Sequence, residues 1–217
     1  MSLTLAIDTS HHVAVGIARD AQPIARVVVE NTRAHAESLM PSIIAACEQA
    51  GVTVQDIEQI AVGMGPGPFT GLRVGIATAW TLAHTAGITP HGVCSLDVVA
   101  REWADNGAPE EFVVVADARR KELYWARYSA DGTRLGDPQV SAPEKLPELP
   151  VAGAVPAAFA DQVRLTDGAP VALDPGVLAA RRDALAPAGD EPYYLRPADA
   201  TVPGKPKSAL PRLRPRR

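Results

Sequence analysis

A glycine- and proline-rich segment that leads into an unusual helix constrains the fold of this chain most. Residues 60–62 form an apolar strand pattern, residues 63–68 read Gly-Met-Gly-Pro-Gly-Pro, and residues 69–86 predict a long helix that ends at Gly87. Each interior glycine costs a helix about 1 kcal/mol relative to alanine, so two of them indicate the close approach of another element. Small residues recur every four positions along this helix: Gly71, Gly75, Ala79 and Ala83.

Two kinds of partner fit this row of small residues. One is a helix of the same chain, the segment that carries Leu39, Ile43 and Cys47 at a spacing of four. The other is a second subunit, if both helices together present one surface. The spacing by itself favours the partner within the chain.

The rest of the pattern predicts an α/β protein. Three closely spaced strands open the chain and predict an antiparallel meander. A helix follows within residues 34–50, and we expect its regular part to begin near Met40, capped by Ser38, because Pro41 fits only a first turn. The later predicted elements are a strand at 92–94, a helix from its cap Ser95 to about 104, strands at 112–116, 123–128 and 151–155, a helix at 175–186 and an extended segment at 193–196.

The net charge of −4 conceals an uneven distribution. Residues 201–217 carry six cations and no acid, whereas residues 1–200 carry 15 basic and 25 acidic side chains. The body therefore has a charge that disfavours nucleic-acid binding. The proline-rich tail, which we expect to be disordered, has a charge that favours it. No apolar run approaches the length of a membrane span, and two cysteines without a Cys-x-x-Cys pair fit a reducing, cytoplasmic setting.

Two segments offer candidate polar sites. Asp8, Thr9 and Ser10 follow the first strand, and with Gly65 and Gly67 they could form a vestigial nucleotide or phosphate loop. The alternative is a hairpin turn capped by its own side chains. This alternative is favoured because no glycine follows Asp8 in the sequence before Gly16. The second segment, residues 117–122, places three cations beside two acids between two apolar strands. Such a turn can hold a phosphate or a partner carboxylate, although a solvated turn is more common.

Five segments together resemble the TsaB (YeaZ) family, which belongs to the bacterial machinery that makes threonylcarbamoyladenosine in tRNA. They span most of residues 3–200 in order, and the stretch from Gly65 to Gly75 is the most specific of them. The five segments are residues 5–10, 35–41, 60–79, 117–124 and 194–196.

The resemblance implies a duplicated actin-like ATPase fold, as in hexokinase, Hsp70 and ribonuclease H-like proteins, with the second lobe reduced. On this basis we expect an N-terminal lobe at 1–107, a C-terminal lobe at 108–200 and a basic tail at 201–217. It also implies a non-catalytic subunit that dimerises with the transferase TsaD, is joined by TsaE and contacts tRNA mainly through that complex. In isolation, such a subunit can self-associate through the same surface. We expect that the chain binds no membrane and no cofactor of its own, because ATP and a metal ion belong to the partners.

The resemblance reverses the preference for an internal helix partner. It makes the two helices the expected interface with TsaD, formed by Leu39, Ile43, Cys47, Phe69, Gly71, Leu72, Gly75, Ile76, Ala79 and Ala83.

Two departures from the family pattern bear on function. The His-x-x-x-His metal pair of the catalytic paralogue has no counterpart in residues 93–99, so we expect no catalytic metal site and no peptidase activity. Pro68 stands where a serine is usual. The alternative function is an independent ATPase or small-molecule kinase of the same fold that uses Asp8 and the loop from Gly65 to Gly67.

Overall fold

The first sheet contains the antiparallel meander that the sequence pattern predicts. The structure, a computed structural model, describes residues 2–30, 34–189 and 191–196. Within these residues the first sheet is built from β1 (Leu3–Asp8), β2 (Val13–Arg19), β3 (Gln22–Val29), β4 (Gln59–Gly63) and β5 (His91–Val93). Their spatial order is β3-β2-β1-β4-β5, with an antiparallel meander of β1, β2 and β3, and with β4 and β5 parallel to β1.

The second sheet repeats this order with one strand fewer. It consists of β6 (Glu111–Asp117), β7 (Leu123–Ser129), β8 (Gln139–Ser141) and β9 (Val151–Gly153). The order is β8-β7-β6-β9, again an antiparallel meander followed by a parallel strand. The repetition confirms the predicted fold class, a duplicated actin-like α/β fold with a reduced second lobe. The predicted boundaries at 107 and 200 stay predictions.

Four α-helices cover the sheets within the described residues, and short 3₁₀ turns lie at Val54–Asp56, Pro143–Lys145, Ala157–Phe159 and Arg182–Ala184. The helices are α1 (His35–Ala50), α2 (Phe69–Ala86), α3 (Ser95–Asp105) and α4 (Pro175–Ala180). Helices α1 and α2 pack on one face of the first sheet, where Leu5 and Ile7 meet Leu39 and Ile43. Helix α4 covers the opposite face, where the small side chain of Ala6 belongs to the same cluster as Leu178.

Two local predictions about the helices are wrong. Helix α1 begins at His35 and not near Met40, so Pro41 lies inside it, on the exposed side of the helix. The predicted helix at 175–186 ends as an α-helix at Ala180 and continues as the 3₁₀ turn Arg182–Ala184.

Candidate functional site

The strongest polar constellation lies where β1 and β4 end side by side. Asp8 is 2% exposed, and its Oδ1 accepts hydrogen bonds from the backbone N–H of Ser10 at 2.8 Å and from the Ser10 hydroxyl at 2.6 Å. Its Oδ2 accepts one from the Ser95 hydroxyl at 2.5 Å. Burial raises the pKa of Asp8, while the bonds from Ser10 and Ser95 act in the opposite direction. The carboxylate is thus held by donors of its own chain.

The glycines around Asp8 are required by close contacts. A Cβ at Gly63 would overlap the Asp8 carboxylate, and a Cβ at Gly67 would approach the backbone of Ser10. The backbone N–H of Gly65 lies 3.2 Å from the Ser95 hydroxyl, which it contacts as donor. The structure therefore brings together Asp8, Ser10, Gly65 and Gly67, four of the five predicted loop residues, and a phosphate site at this place stays a prediction.

Ser95 is a member of this constellation that the sequence did not reveal. It was expected to cap α3, but Cys94 occupies the N-cap position and the Ser95 side chain turns to Asp8 instead. A serine at the start of a helix is most simply interpreted as an N-cap. The contact with Asp8 joins distant residues, so no local sequence pattern predicts it.

Thr9 connects the same turn to α2. Its hydroxyl donates to the Gly71 carbonyl at 2.8 Å and accepts from the Gly75 N–H at 3.1 Å. A Cβ at Gly71 would lie 2.8 Å from the Thr9 carbonyl oxygen, and one at Gly75 would overlap the Thr9 hydroxyl. The glycines of α2 thus allow the turn after β1 to approach the helix.

The burial of these helix residues corrects the predicted interface with TsaD. Phe69 and Ile76 are half-buried, and the other eight predicted residues are buried inside the chain, so a partner cannot reach them through the surface. The eight are Leu39, Ile43, Cys47, Gly71, Leu72, Gly75, Ala79 and Ala83. The small residues of α2 thus serve packing within the chain, but the nearest contact of Gly71 and Gly75 is the turn after β1 and not the helix that the spacing had favoured. The large apolar side chains that α1 and α2 do expose are Met40 (41%), Ile44 (49%) and Trp80 (44%).

A small cavity lies beside Asp8, between the two sheets. Its volume is about 170 Å³, and its lining joins Asp8 and Ser95 of the first half to Val115 and Ala154 of the second. Most of the lining is apolar. Typical ligand pockets measure roughly 300–1,000 Å³, so a nucleotide does not fit without an opening of the cleft.

Two histidines, His11 and His12, lie in the turn between β1 and β2. The rings of His11 and His12 lie 4.2 Å apart and both line the cavity. Burial, with the neighbouring His12, lowers the pKa of His11. Among the residues that the structure describes, no group of three potential ligands could hold a metal ion.

A polar network ties the second sheet to the end of the described chain. Asp97, on α3, accepts a hydrogen bond from the Tyr128 hydroxyl at 2.7 Å and lies 3.5 Å from Arg134 Nη1. Arg134 donates to the Tyr193 hydroxyl at 3.1 Å, and the Tyr193 N–H donates to the Met64 carbonyl at 2.9 Å. Burial raises the pKa of Asp97 despite the nearby cation.

Residues 192–196 cross from one half of the molecule to the other, and we call this segment the strap. Tyr194 packs on Phe69 at the start of α2, with ring centroids 4.8 Å apart. Arg196 pairs with Glu122, in the turn between β6 and β7. The strap includes the predicted motif 194–196, whose contacts to both halves were not foreseen.

Comparison with known proteins settles the family. Residues 26–173 match the family model described as "TsaD: tRNA N6-adenosine threonylcarbamoyltransferase". An uncharacterized protein of Mycobacterium tuberculosis is 42% identical over 207 residues, which cover 92% of this chain and 94% of that protein. The tRNA threonylcarbamoyladenosine biosynthesis protein TsaB of Escherichia coli is 38% identical over 100 residues, or 46% of this chain and 43% of that protein.

The solved structure of YeaZ from Pseudomonas aeruginosa superposes with a TM-score of 0.70 at 26% identity and covers 90% of this chain and 100% of that one. The chain belongs to the TsaB (YeaZ) branch of the TsaD family. The family resemblance inferred from the motifs is thereby confirmed. In the described part of the chain, no helix is both long and apolar enough to cross a membrane.

Proposed function

We propose that this chain is a non-catalytic subunit that dimerises with TsaD and activates it, in the cytoplasm, for threonylcarbamoylation of N6 of the adenosine next to the tRNA anticodon. Membership of the TsaB branch is the observation that carries the proposal, since its named relatives take part in threonylcarbamoyladenosine biosynthesis. TsaE is the expected third component, and tRNA binds mainly through the complex.

The state of the candidate site supports a non-catalytic role. The Asp8 carboxylate is buried and held by Ser10 and Ser95, and the cavity beside it is smaller than a nucleotide requires. The segment after β5, where the catalytic paralogue is expected to carry its histidine pair, reads Cys94-Ser95-Leu96-Asp97 and contributes Asp97 to an internal network instead.

The exposed side chains of α1 and α2 support the proposed surface for TsaD. Met40 and Ile44 lie four positions apart on α1 and therefore on one face of that helix, and Trp80 is exposed on α2. Aromatic side chains and Met are enriched in protein interfaces, and Trp is among the residues that contribute most to the binding free energy. We therefore assign the partner surface to Met40, Ile44 and Trp80, with the half-buried Phe69 and Ile76 at its base.

The test measures association with purified TsaD by isothermal titration calorimetry, and tRNA modification with and without this chain. The double variant M40S/I44S should weaken TsaD binding about tenfold or more, because it removes two apolar contacts. The matched control L135S/V171S replaces two exposed apolar side chains on the second half and should bind like the unaltered chain.

Two results would overturn the proposal. One is the absence of any association with TsaD, and the other is tRNA modification that proceeds equally well without this chain. Equal weakening by both double variants would reject the assigned surface while leaving the partnership in place.

An independent ATPase or kinase is the alternative, because Asp8, Ser10, Gly65 and Gly67 do converge beside a cavity between the two sheets. The rings of His11 and His12 in the turn between β1 and β2, together with the small volume of the cavity, disfavour this alternative. Calorimetry with ATP and Mg²⁺ on the isolated chain distinguishes the two: we expect no binding at millimolar nucleotide, and a saturable signal would favour the alternative.

A further inference from the structure

The cavity beside Asp8 takes no part in the proposed function. It lies between the two sheets and has a volume of about 170 Å³. The exposed residues Val28 and Glu30 belong to its lining, so the cavity reaches solvent at the end of β3. Protein cavities of about 150 Å³ hold one benzene-sized molecule, and this cavity therefore has room for a ligand of about one ring.

Most of the wall is apolar and comes from both halves of the molecule. Helix α3 contributes Leu96 and Val99, and β6 of the second sheet contributes Val115. Leu173, which precedes α4, also lines the cavity. An apolar ligand body gains free energy when it leaves water for such a wall. The bulk of a suitable ligand is therefore hydrocarbon.

The polar end of the cavity offers hydrogen-bond acceptors. The Ser10 hydroxyl donates to Asp8 Oδ1 at 2.6 Å, and the Ser95 hydroxyl donates to Asp8 Oδ2 at 2.5 Å. A serine hydroxyl has only one hydrogen to donate. Because both hydrogens are used on Asp8, the two hydroxyls and the carboxylate present lone pairs, and a ligand group that meets them has to be a donor.

The charge of the lining favours a cation. It contains two carboxylates, Asp8 and Glu30, and no Lys or Arg, and every lining residue lies in the part of the chain that the structure describes. Burial lowers the pKa of His11, so this ring adds little positive charge at neutral pH. Burial also disfavours the charged form of Asp8 by raising its pKa, and a cation beside the carboxylate would offset that cost. An anion such as a phosphate would meet like charge here.

His12 adds one further polar atom. Its ring lines the cavity, and its Nδ1 is buried without a hydrogen-bond partner among the described residues. Buried polar atoms in native proteins nearly always have a partner, so an unpaired one calls for an explanation. An imidazole nitrogen that carries no hydrogen accepts, and a ligand with several N–H donors would supply the missing bond.

We propose that this cavity binds a small primary amine in its ammonium form, with the charged group beside Asp8 and an apolar body of about one ring against Leu96 and Val115. An ammonium group carries three donors and no acceptor, which matches a polar wall made of acceptors. The inference goes beyond the proposed function and does not depend on the partnership with TsaD.

The test uses three probes that share a benzene ring and differ in the charge of their polar group: benzylamine, benzyl alcohol and benzoate. Isothermal titration calorimetry on the full chain, without TsaD and at neutral pH, measures each Kd. Benzylamine should bind about tenfold more tightly than benzyl alcohol, because only the amine places a cation beside a buried carboxylate. Benzoate should give no saturable signal.

A cavity-filling variant locates the site. A154L adds bulk to the lining from the second half of the molecule, away from Asp8, and should abolish the binding of benzylamine. The matched control A160L makes the same change at an exposed alanine outside the lining and should bind like the unaltered chain.

A second pair of variants tests the charge. D8N removes the buried charge at nearly the same shape, and it should weaken benzylamine about tenfold while it changes benzyl alcohol little. The control E30Q removes the exposed carboxylate and should weaken benzylamine by less than about threefold, because solvent screens an exposed charge. The comparison of the three probes needs no variant, so it decides the charge preference even if D8N does not fold.

Three results would overturn the inference. They are the absence of saturable benzylamine binding at millimolar concentration, binding of benzyl alcohol or benzoate as tight as that of benzylamine, and benzylamine binding that A154L leaves unchanged. The first two reject an amine site, and the third places the bound amine elsewhere on the chain. Association with TsaD is measured separately, and none of these results bears on it.

Discussion

At the residue scale, Gly75 shows why a small-residue row is an ambiguous signal. Its N–H bonds to the Thr9 hydroxyl, and a methyl group there would overlap that hydroxyl. We expect G75A to lower the free energy of unfolding by about 1–3 kcal/mol, although alanine is the better helix former. Urea unfolding measures this. A weaker TsaD complex with a Gly75 variant would therefore reflect damage to the monomer.

The control for this prediction is a double-mutant cycle with T9A. Removal of the hydroxyl makes room for the new methyl group, so T9A/G75A should be less destabilised than the sum of the two single variants. Strict additivity would show that the close approach of Thr9 does not require the glycine.

Glu102 gives a pH-dependent prediction at the same scale. Its Oε2 is buried without a hydrogen-bond partner, and burial together with the nearby Asp174 raises its pKa to about 7, with Arg26 opposing. The native state thus holds this proton more tightly than the unfolded state, so the contribution of Glu102 to stability is fully present below its ordinary pKa and is lost as pH rises to about 7. E102Q should remove this dependence and be more stable at pH 8 by about 1 kcal/mol, a discounted value because the group is only half buried.

Unfolding by urea at pH 4.5 and at pH 8 measures the difference, and E48Q, on the exposed face of α1, serves as the control. The stability of E102Q relative to the unaltered chain should increase between the two pH values. A constant difference would contradict the raised pKa.

At the scale of elements, the strap decides how the two halves are joined. Tyr193 reaches Met64 and Arg134, Tyr194 reaches Phe69, and Arg196 reaches Glu122. Truncation before residue 192 removes all of these contacts and leaves Arg134 with one partner fewer. We expect it to lower the melting temperature by several degrees.

The matched truncation after Arg196 keeps the strap and removes only residues 197–217. It should melt within about one degree of the full chain, since none of the strap contacts is lost. If both truncations melt alike, the strap does not stabilise the junction.

At the scale of the whole molecule, two helices that each follow one sheet and pack on the other should make unfolding cooperative. Helix α3 follows β5 of the first sheet but packs on the second, and α4 follows the second sheet but packs on the first. In the variant W80F, fluorescence reports only Trp103 and Trp125, which lie in the clusters beside the second sheet. Its urea transition should coincide with that of far-UV circular dichroism; separate midpoints would mean that the halves unfold independently.

Much of the fold was readable from the sequence because its signals are local. The meander at the N-terminus, the helix ended by Gly87 and the hairpin formed by β6 and β7 rest on alternation, turn residues and helix stops. The start of α1 was misread because the local rule that places proline in a first turn takes no account of packing, and Leu39 and Ile43, on either side of Pro41, are buried against the first sheet.

The sequence by itself determined the strand and helix order, the family motifs, the uneven charge and the absence of a histidine pair after β5. These are properties of neighbouring residues or of composition. Only the tertiary structure decided what the small residues of α2 approach, that Ser95 bonds to Asp8, that Tyr193 reaches Arg134, and that Arg196 meets the turn between β6 and β7. Each of those contacts joins residues 59 or more positions apart, and such pairing depends on how the two sheets and their helices pack together.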